Sequence, residues 1–192
     1  MTQLLNRTTD QRIVLQGTWE QFKLIQKGTE GSPGVRLSFY DGVIEILMPG
    51  REHEFFSRII GYLVMTFCFE RGIRCLPTGS MTQEKEGVSS VQADESYCIG
   101  SAKLSPDLSL EVVFTSGGEA KLAKYRALGV REVWFWEDGV FTLHYLRDQE
   151  YERIQSSQIE GLEELDILLL SRCVLIAETN ELAAIAEFRK AL

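Results

Sequence analysis

The stretch SPDLSLEVVFTSGGEAKLAKYRALGVREVWFW, residues 105–136, is the most informative part of the chain about its architecture. Leu108–Phe114 and Glu132–Trp136 are apolar runs of a length and composition typical of β-strands. Between them, apolar residues recur at helical spacing from about Gly117 to Leu128, and Gly129 stands where a helix commonly ends. The stretch therefore predicts a strand, a helix and a second strand in direct succession.

Similar patterns lie on both sides of this unit. The further predicted elements are a helix at 18–27, a hairpin of Val35–Tyr40 and Val43–Met48, a long helix at His53–Glu70, a short strand near Ile73–Leu76 in an otherwise irregular segment, strands at Glu95–Ile99 and Val140–Leu146, and a helix at Glu178–Leu192. This order indicates an α/β or α+β protein with a central mixed β-sheet flanked by helices. We expect one domain over residues 1–192, with a core at about 35–146 and the terminal helices appended.

The composition is that of an ordinary globular protein. Of the 192 residues, 44% are hydrophobic and 25% are charged, which excludes disorder, collagen-like repeats and low complexity as its main character. The 28 acidic residues outnumber the 20 basic ones and give a net charge of −8. This charge argues against a broad basic surface for nucleic acid, but it leaves room for a local basic cleft.

The sequence also bears on the cellular setting. No apolar run approaches the roughly 18–20 residues that cross a bilayer, and residues 1–10 lack the apolar stretch of a signal peptide. The cysteines form no C-x-x-C pair, so buried free thiols are expected rather than disulfides or zinc ligands. They are Cys68, Cys75, Cys98 and Cys173. We therefore expect a cytoplasmic protein without membrane association.

A polar row runs along the first strand of the central unit. Because successive side chains alternate across a strand, one face is entirely apolar. It consists of Leu108, Leu110, Val112 and Phe114. The other face carries Asp107, Ser109, Glu111 and Val113. Glu111 thus lies in the middle of a hydrophobic strand, either on the wet face of an edge strand or in a cleft where it needs a counter-charge or a metal ion.

Lys121 supplies a candidate counter-charge. At about 100° per residue the apolar stripe of the predicted helix centres on Tyr125, and Lys121 lies about 40° from that centre. Lys124 and Arg126 lie about 100° away on either side. Lys121 is therefore expected to face the sheet and the acidic row. The alternative is a lysine that extends past the stripe into solvent.

Asp94 is the candidate partner of Glu111. If the turn before Asp107 centres near Ala102-Lys103, paired positions sum to about 205, and Asp94 faces Glu111 to within about one or two residues, with α-carbons roughly 5 Å apart. Asp107 and Glu111 lie on one strand, roughly 13 Å apart if it is straight. We therefore favour Asp94 with Glu111 as a metal pair, with Asp107 either joining it if the strand bends or orienting the cleft.

Two carboxylates and a lysine suit the hydrolysis of phosphodiester bonds with a divalent ion. Oxygen ligands select Mg²⁺ or Mn²⁺. Such an ion lowers the pKa of a bound water and stabilises charge on the phosphate, and an ammonium group positions or helps to activate the nucleophile.

Four motifs resemble one known family. They are DGVIEILMPGREHE (41–54), ADESYCIG (93–100), SPDLSLEVVFTS (105–116) and KLAKYRALGVREVWFW (121–136). With them the chain resembles, over roughly residues 12–175, the Uma-type family of restriction endonucleases, long catalogued as a domain of unknown function, in the PD-(D/E)XK nuclease superfamily. The resemblance implies a restriction-endonuclease-like core, metal-dependent cleavage of DNA, DNA as a partner and a homodimer.

The resemblance also assigns residues. Asp94 and Asp107 match the two family aspartates, Glu111 matches the acidic residue of (D/E)XK, and His53 matches the histidine that opens the first core helix. With Lys121 these form the implied catalytic set, and the implied ligands of Mg²⁺ or Mn²⁺ are Asp94, Asp107 and Glu111. Glu54 is a weaker match to an additional helix carboxylate.

The chain departs from the family pattern at two positions. Val113 stands where the motif has its lysine, which leaves Lys121 on the next helix to take that place, and Ala93 replaces the proline before the first aspartate.

Other functions remain open at this point. The same fold without catalysis can mediate self-association or partner binding, which the net charge of −8 favours. A small-molecule hydrolase with the same metal is a third interpretation, and His53 has the alternative of being a helix residue without a chemical role. A nuclease would need a local basic patch, for which the candidates are Arg51, Arg58, Arg71, Arg74, Lys103, Lys121 and Lys124.

Overall fold

The computed structural model describes residues 9–114 and 118–192, and for residues 118 and 119 only the backbone. The elements are β1 (Gln11–Gln16), α1 (Trp19–Gly28), β2 (Arg36–Tyr40), β3 (Val43–Met48), α2 (Arg51–Glu70), β4 (Cys75–Pro77), β5 (Thr82–Lys85), β6 (Ser89–Gln92), β7 (Glu95–Ile99), β8 (Leu108–Val113), α3 (Gly118–Leu128), β9 (Glu132–Glu137), β10 (Val140–Arg147), β11 (Glu150–Ile154), α4 (Ile167–Ala177) and α5 (Glu181–Lys190). The predicted start of the third helix, near Gly117, lies outside the described residues.

The strands form two sheets. Five strands in the order β1-β3-β2-β6-β5 make an antiparallel sheet, and six in the order β11-β10-β9-β8-β7-β4 make the second. In the second sheet β8 and β9 are parallel and are connected through α3, whereas the other pairs are antiparallel. The predicted α+β class with a mixed sheet flanked by helices is therefore confirmed, and it is consistent with a restriction-endonuclease-like fold.

The two faces of β8 meet different partners. Leu108, Leu110 and Val112 pack in the main core with the apolar side of α2. Gly61 allows α2 to approach β7 closely, because a β-carbon there would lie 3.1 Å from the Tyr97 hydroxyl. The opposite face of β8 belongs to a smaller core in which Val113 packs with residues of α3, β6 and β9.

β8 is a central strand, and all six of its residues are buried. The interpretation of its polar row as the wet face of an edge strand is therefore wrong. The five-stranded sheet and α3 cover that face, since α3 packs against β2, β5 and β6 as well as β9. Glu111, 2% exposed, lies in the interior between the two sheets.

Several short elements were not predicted. The segment between α2 and β7 forms β4, which overlaps the strand predicted near Ile73–Leu76, and also β5 and β6, which were missed because four residues are too few to show a clear period. β1 was also missed, because its three apolar residues are consecutive and show no alternation with polar ones, and its pairing with β3 defines it as a strand. The four cysteines are buried free thiols, as predicted. Within the described part of the chain, no helix is both long and apolar enough to cross a membrane.

Candidate active site

Asp94 and Glu111 come together through the register of β7 and β8. Glu95 pairs with Leu110 and Ser96 with Ser109, which is the register that the hairpin arithmetic predicts, and Asp94, the residue before β7, lies beside the part of β8 that carries Glu111. The Val112 amide donates to Asp94 Oδ2 at 2.6 Å, and the Asp94 amide donates to the Leu110 carbonyl at 3.1 Å. Asp94 is thus fixed to β8 by both its backbone and its side chain.

Lys121 points at Glu111. Its Nζ lies 2.5 Å from Glu111 Oε2, and its side chain is 17% exposed. One helical turn further on, the Tyr125 hydroxyl donates to Glu111 Oε1 from a fully buried position. The helical-face calculation for Lys121 is therefore confirmed, and the alternative that it extends into solvent is wrong. Tyr125 was expected only as the centre of an apolar stripe.

The second carboxylate oxygen of Asp94, Oδ1, faces a group of polar side chains around the start of α2. His53 Nε2 lies 2.8 Å from Asp94 Oδ1, and both side chains are 1% exposed. Arg36 of β2 contacts the same Asp94 oxygen and donates to Glu54 Oε1 at 2.6 Å. Asp10, which precedes β1, lies 2.8 Å from the other ring nitrogen of His53. Sequence reasoning missed Arg36 and Asp10, whose segments are distant along the chain.

Lys124 is buried, contrary to the helical-face calculation. Its Nζ donates to Ser38 Oγ at 2.6 Å and Glu45 Oε2 at 2.9 Å, and Arg12 Nε lies 2.7 Å from Glu45 Oε1. The calculation considered only one sheet, whereas the five-stranded sheet covers this second side of α3. Between the two lysines is a small cavity of about 20 Å³. Its charged lining residues are Arg36, Glu45, Glu111, Lys121 and Lys124.

Burial and the neighbouring charges shift the pKa values of Glu45, Lys124 and Tyr125. Burial raises the pKa of Glu45, but the nearby Lys124, Lys121 and Arg12 outweigh burial, and the pKa lies below its usual range. Burial lowers the pKa of the Lys124 ammonium, and Glu45 only partly compensates. Burial and the adjacent Glu111 raise the pKa of Tyr125 far above its ordinary value, so its hydroxyl remains a hydrogen-bond donor.

Asp107 lies apart from this cluster. Its Oδ2 accepts hydrogen bonds from the Ile99 amide at 2.9 Å and Lys103 Nζ at 2.5 Å, while Arg131 lies 3.9 Å from Oδ1. It lines a separate cavity of about 350 Å³ with Arg74, Lys103 and Arg131. β8 is paired with β9 along its whole length, and the contacts of Asp107 at the start of this strand are with Ile99 and Lys103 rather than with Asp94 or Glu111.

The expected basic patch does not form as one surface. Most of its candidate members are paired with a carboxylate, and they are divided among different sites, since Lys121 and Lys124 line one cavity and Lys103 and Arg74 line another. These pairs are Arg58–Glu95, Arg71–Glu164, Lys103–Asp107, Lys121–Glu111 and Lys124–Glu45. Arg51 and Arg74 line two different cavities.

Two carboxylates are available for a metal ion. Among residues 9–114 and 118–192, no three or more His, Cys, Asp or Glu side chains are grouped so as to hold one. Asp94 Oδ1 is buried, and although His53 and Arg36 lie against it, no described group meets it with hydrogen-bond geometry. Glu111 keeps free lone pairs beside its two hydrogen bonds. The pair fits Mg²⁺ or Mn²⁺, which use one or two carboxylates and retain several waters.

These features define an α+β protein of the restriction-endonuclease-like class, with an acidic pair and a lysine at its centre. The chain belongs to the Uma2 family, whose model, described as "Putative restriction endonuclease", matches residues 19–177. Membership of this family implies a nuclease-like function and interaction with DNA. A search of the curated proteins gave no match.

Proposed function

We propose that this protein is a metal-dependent DNA endonuclease that hydrolyses phosphodiester bonds. The observation that supports this most strongly is that Lys121 Nζ lies 2.5 Å from Glu111 Oε2, while Asp94 accepts a hydrogen bond from the amide of Val112, the residue next to Glu111. Asp94 before β7, Glu111 of β8 and Lys121 of α3 would together supply the two carboxylates and the ammonium group that this chemistry uses. Family membership adds the expectation of DNA as the substrate.

Asp94 and Glu111 are the residues that would hold Mg²⁺ or Mn²⁺. When bound, such an ion supplies an activated water and stabilises charge on the scissile phosphate. Lys121 remains partly exposed, so it would reach both Glu111 and an incoming phosphate. Tyr125 would fix the orientation of the Glu111 carboxylate through the hydrogen bond that its hydroxyl donates to Oε1.

For His53 we propose a role beside Asp94, because its Nε2 lies against the Asp94 carboxylate. For Asp107 we propose the orienting role that the sequence left open. Its bonds to the Ile99 amide and Lys103 close the turn between β7 and β8, and this turn sets the register that brings Asp94 to Glu111.

A plasmid-nicking assay tests the proposal. Supercoiled and single-stranded DNA are incubated with the protein and Mg²⁺, Mn²⁺ or a chelator. We expect metal-dependent nicking by the natural chain and none by Glu111→Gln. Glu132→Gln is the matched control, since Glu132 is a fully buried glutamate on the neighbouring strand, bonded to Trp134 and Gln158 away from the site. Nicking by Glu111→Gln at the rate of Glu132→Gln would contradict the proposal.

A second candidate is a non-catalytic module that associates with itself or with a partner. It is favoured by the pairing of each site carboxylate with a cation of the chain, Glu111 with Lys121 and Asp94 with Arg36. Absence of nicking together with absence of Mn²⁺ binding in calorimetry would support this candidate. Sedimentation velocity then measures self-association, and it also tests the homodimer that a double-strand-cutting enzyme would need.

A further inference from the structure

Asp10 connects three parts of the molecule at the edge of the candidate site. Its Oδ2 lies 2.8 Å from His53 Nδ1, and its Oδ1 accepts the Gly50 amide at 2.7 Å. Its side chain is only 10% exposed. Both carboxylate oxygens are therefore used, one on a site residue and one on the residue that precedes α2.

The position of Asp10 follows from strand pairing. β1 runs antiparallel to β3, with Gln11 opposite Met48, and β3 ends just before α2 begins. The residue before β1 must therefore lie beside the first turn of α2, where His53 and Glu54 are. Gly50, the N-cap of that helix, has no side chain with which to cap it.

The contact fixes which way the His53 ring faces. Burial raises the pKa of Asp10, but the bonds from His53 and Gly50 and the charge of Lys121 outweigh it, so the carboxyl is ionised and can only accept. The proton on Nδ1 is consequently directed to Asp10, and Nε2 faces Asp94 Oδ1 at 2.8 Å. A carboxylate behind a histidine commonly fixes the tautomer and orientation of the ring in this way.

We propose that Asp10 is a positioning residue of the candidate site and acts through His53. The expected effect of Asp10 on cleavage rests on the proposed function, whereas its expected effect on the His53 ring does not. Asp10 lies outside residues 19–177, the part of the chain that the family model matches. The segment that forms β1 thus contributes a side chain, that of Asp10, to the candidate site.

A spectroscopic experiment tests the contact directly. The chain has only two histidines, so long-range ¹H–¹⁵N spectra are simple, and the signals lost in His53→Gln identify His53. We expect a protonated, slowly exchanging Nδ1 in the natural chain, and loss of that protection in Asp10→Ala but not in the neighbouring control Gln11→Ala. Unchanged His53 signals in Asp10→Ala, even with a lower melting temperature, would show a helix-capping role alone and overturn the proposal.

Cleavage rates test whether Asp10 acts through His53. We expect Asp10→Ala to lower the rate about 10- to 100-fold, as loss of such a supporting partner commonly does. The double variant Asp10→Ala/His53→Gln should be no slower than His53→Gln alone. Multiplying losses would overturn the proposal. If the natural chain does not cleave DNA, the proposed function fails, and the His53 spectra still decide the role of Asp10.

Discussion

Lys121 Nζ and Glu111 Oε2 lie 2.5 Å apart although ten residues separate them in the chain, and the strand and helix that carry them are consecutive. Glu111 lies in the middle of a fully buried strand, so burying its carboxylate without a partner would destabilise the folded protein. The lysine is on the first turns of the helix that follows. The ion pair is therefore a product of local geometry that the rest of the fold then encloses.

Removing this cation should destabilise the protein. In Lys121→Met the buried Glu111 carboxylate keeps Tyr125 as its side-chain partner among the described residues, and we expect a loss of about 1–3 kcal/mol in the free energy of unfolding. Urea unfolding at pH 7 measures it. Lys23→Met breaks a more exposed pair with Glu84 and should cost less than about 1 kcal/mol. Equal losses for the two variants would show that the Lys121 pair has no special weight.

Removing the Tyr125 hydroxyl should have a similar effect. Tyr125→Phe keeps the ring in its core but takes a donor from buried Glu111, at a cost of about 1–3 kcal/mol. Tyr62→Phe, on the exposed side of α2, should change stability by less than about 0.5 kcal/mol. Thermal and urea unfolding of both variants give the comparison. A Tyr125→Phe protein as stable as the natural one would mean that Glu111 does not depend on this bond.

Glu45 should contribute to the loss of stability in acid. The pKa of this carboxyl in the folded protein is below its usual value, because Lys124, Lys121 and Arg12 outweigh the effect of burial. Its stabilisation is therefore complete above the ordinary pKa of about 4.3, and it is lost as the pH falls through the lower folded pKa.

Unfolding of Glu45→Gln across the acid range checks this. The variant should be less stable than the natural chain at pH 7, and the difference should shrink below about pH 4.3, where Glu45 begins to be protonated in the unfolded chain. A difference that stays constant down to the acid end would contradict a depressed pKa.

Asp107 should affect the stability of the protein more than its affinity for a metal ion. Asp107→Asn weakens the bonds to Lys103 and the Ile99 amide, so stability should fall, while Mn²⁺ affinity in calorimetry should stay within about threefold of that of the natural chain because the metal pair is intact. Asp94→Asn should lose most of that affinity. Equal losses of affinity in both variants would show that Asp107 is a ligand after all.

The sequence predicted those parts of the site that depend on neighbouring elements. The positions of Asp94, Glu111 and Lys121 follow from the register of one hairpin, the alternation of side chains along one strand and the angle between residues on one helix. Each of these can be counted along a short stretch of sequence. The contacts of Lys124 with Glu45 and Ser38 join residues 79 and 86 positions apart, and that of Asp10 with His53 joins residues 43 apart. These depend on the five-stranded sheet folding over α3 and α2, which no local period records.

The central claim is that Asp94 and Glu111 share one divalent ion beside Lys121. Anomalous diffraction from crystals soaked in Mn²⁺ tests it most directly. We expect a single strong peak bonded to both carboxylates in the natural chain, and no peak there in Glu111→Gln crystals. A peak at Asp107, or none between Asp94 and Glu111 at millimolar Mn²⁺, would contradict it.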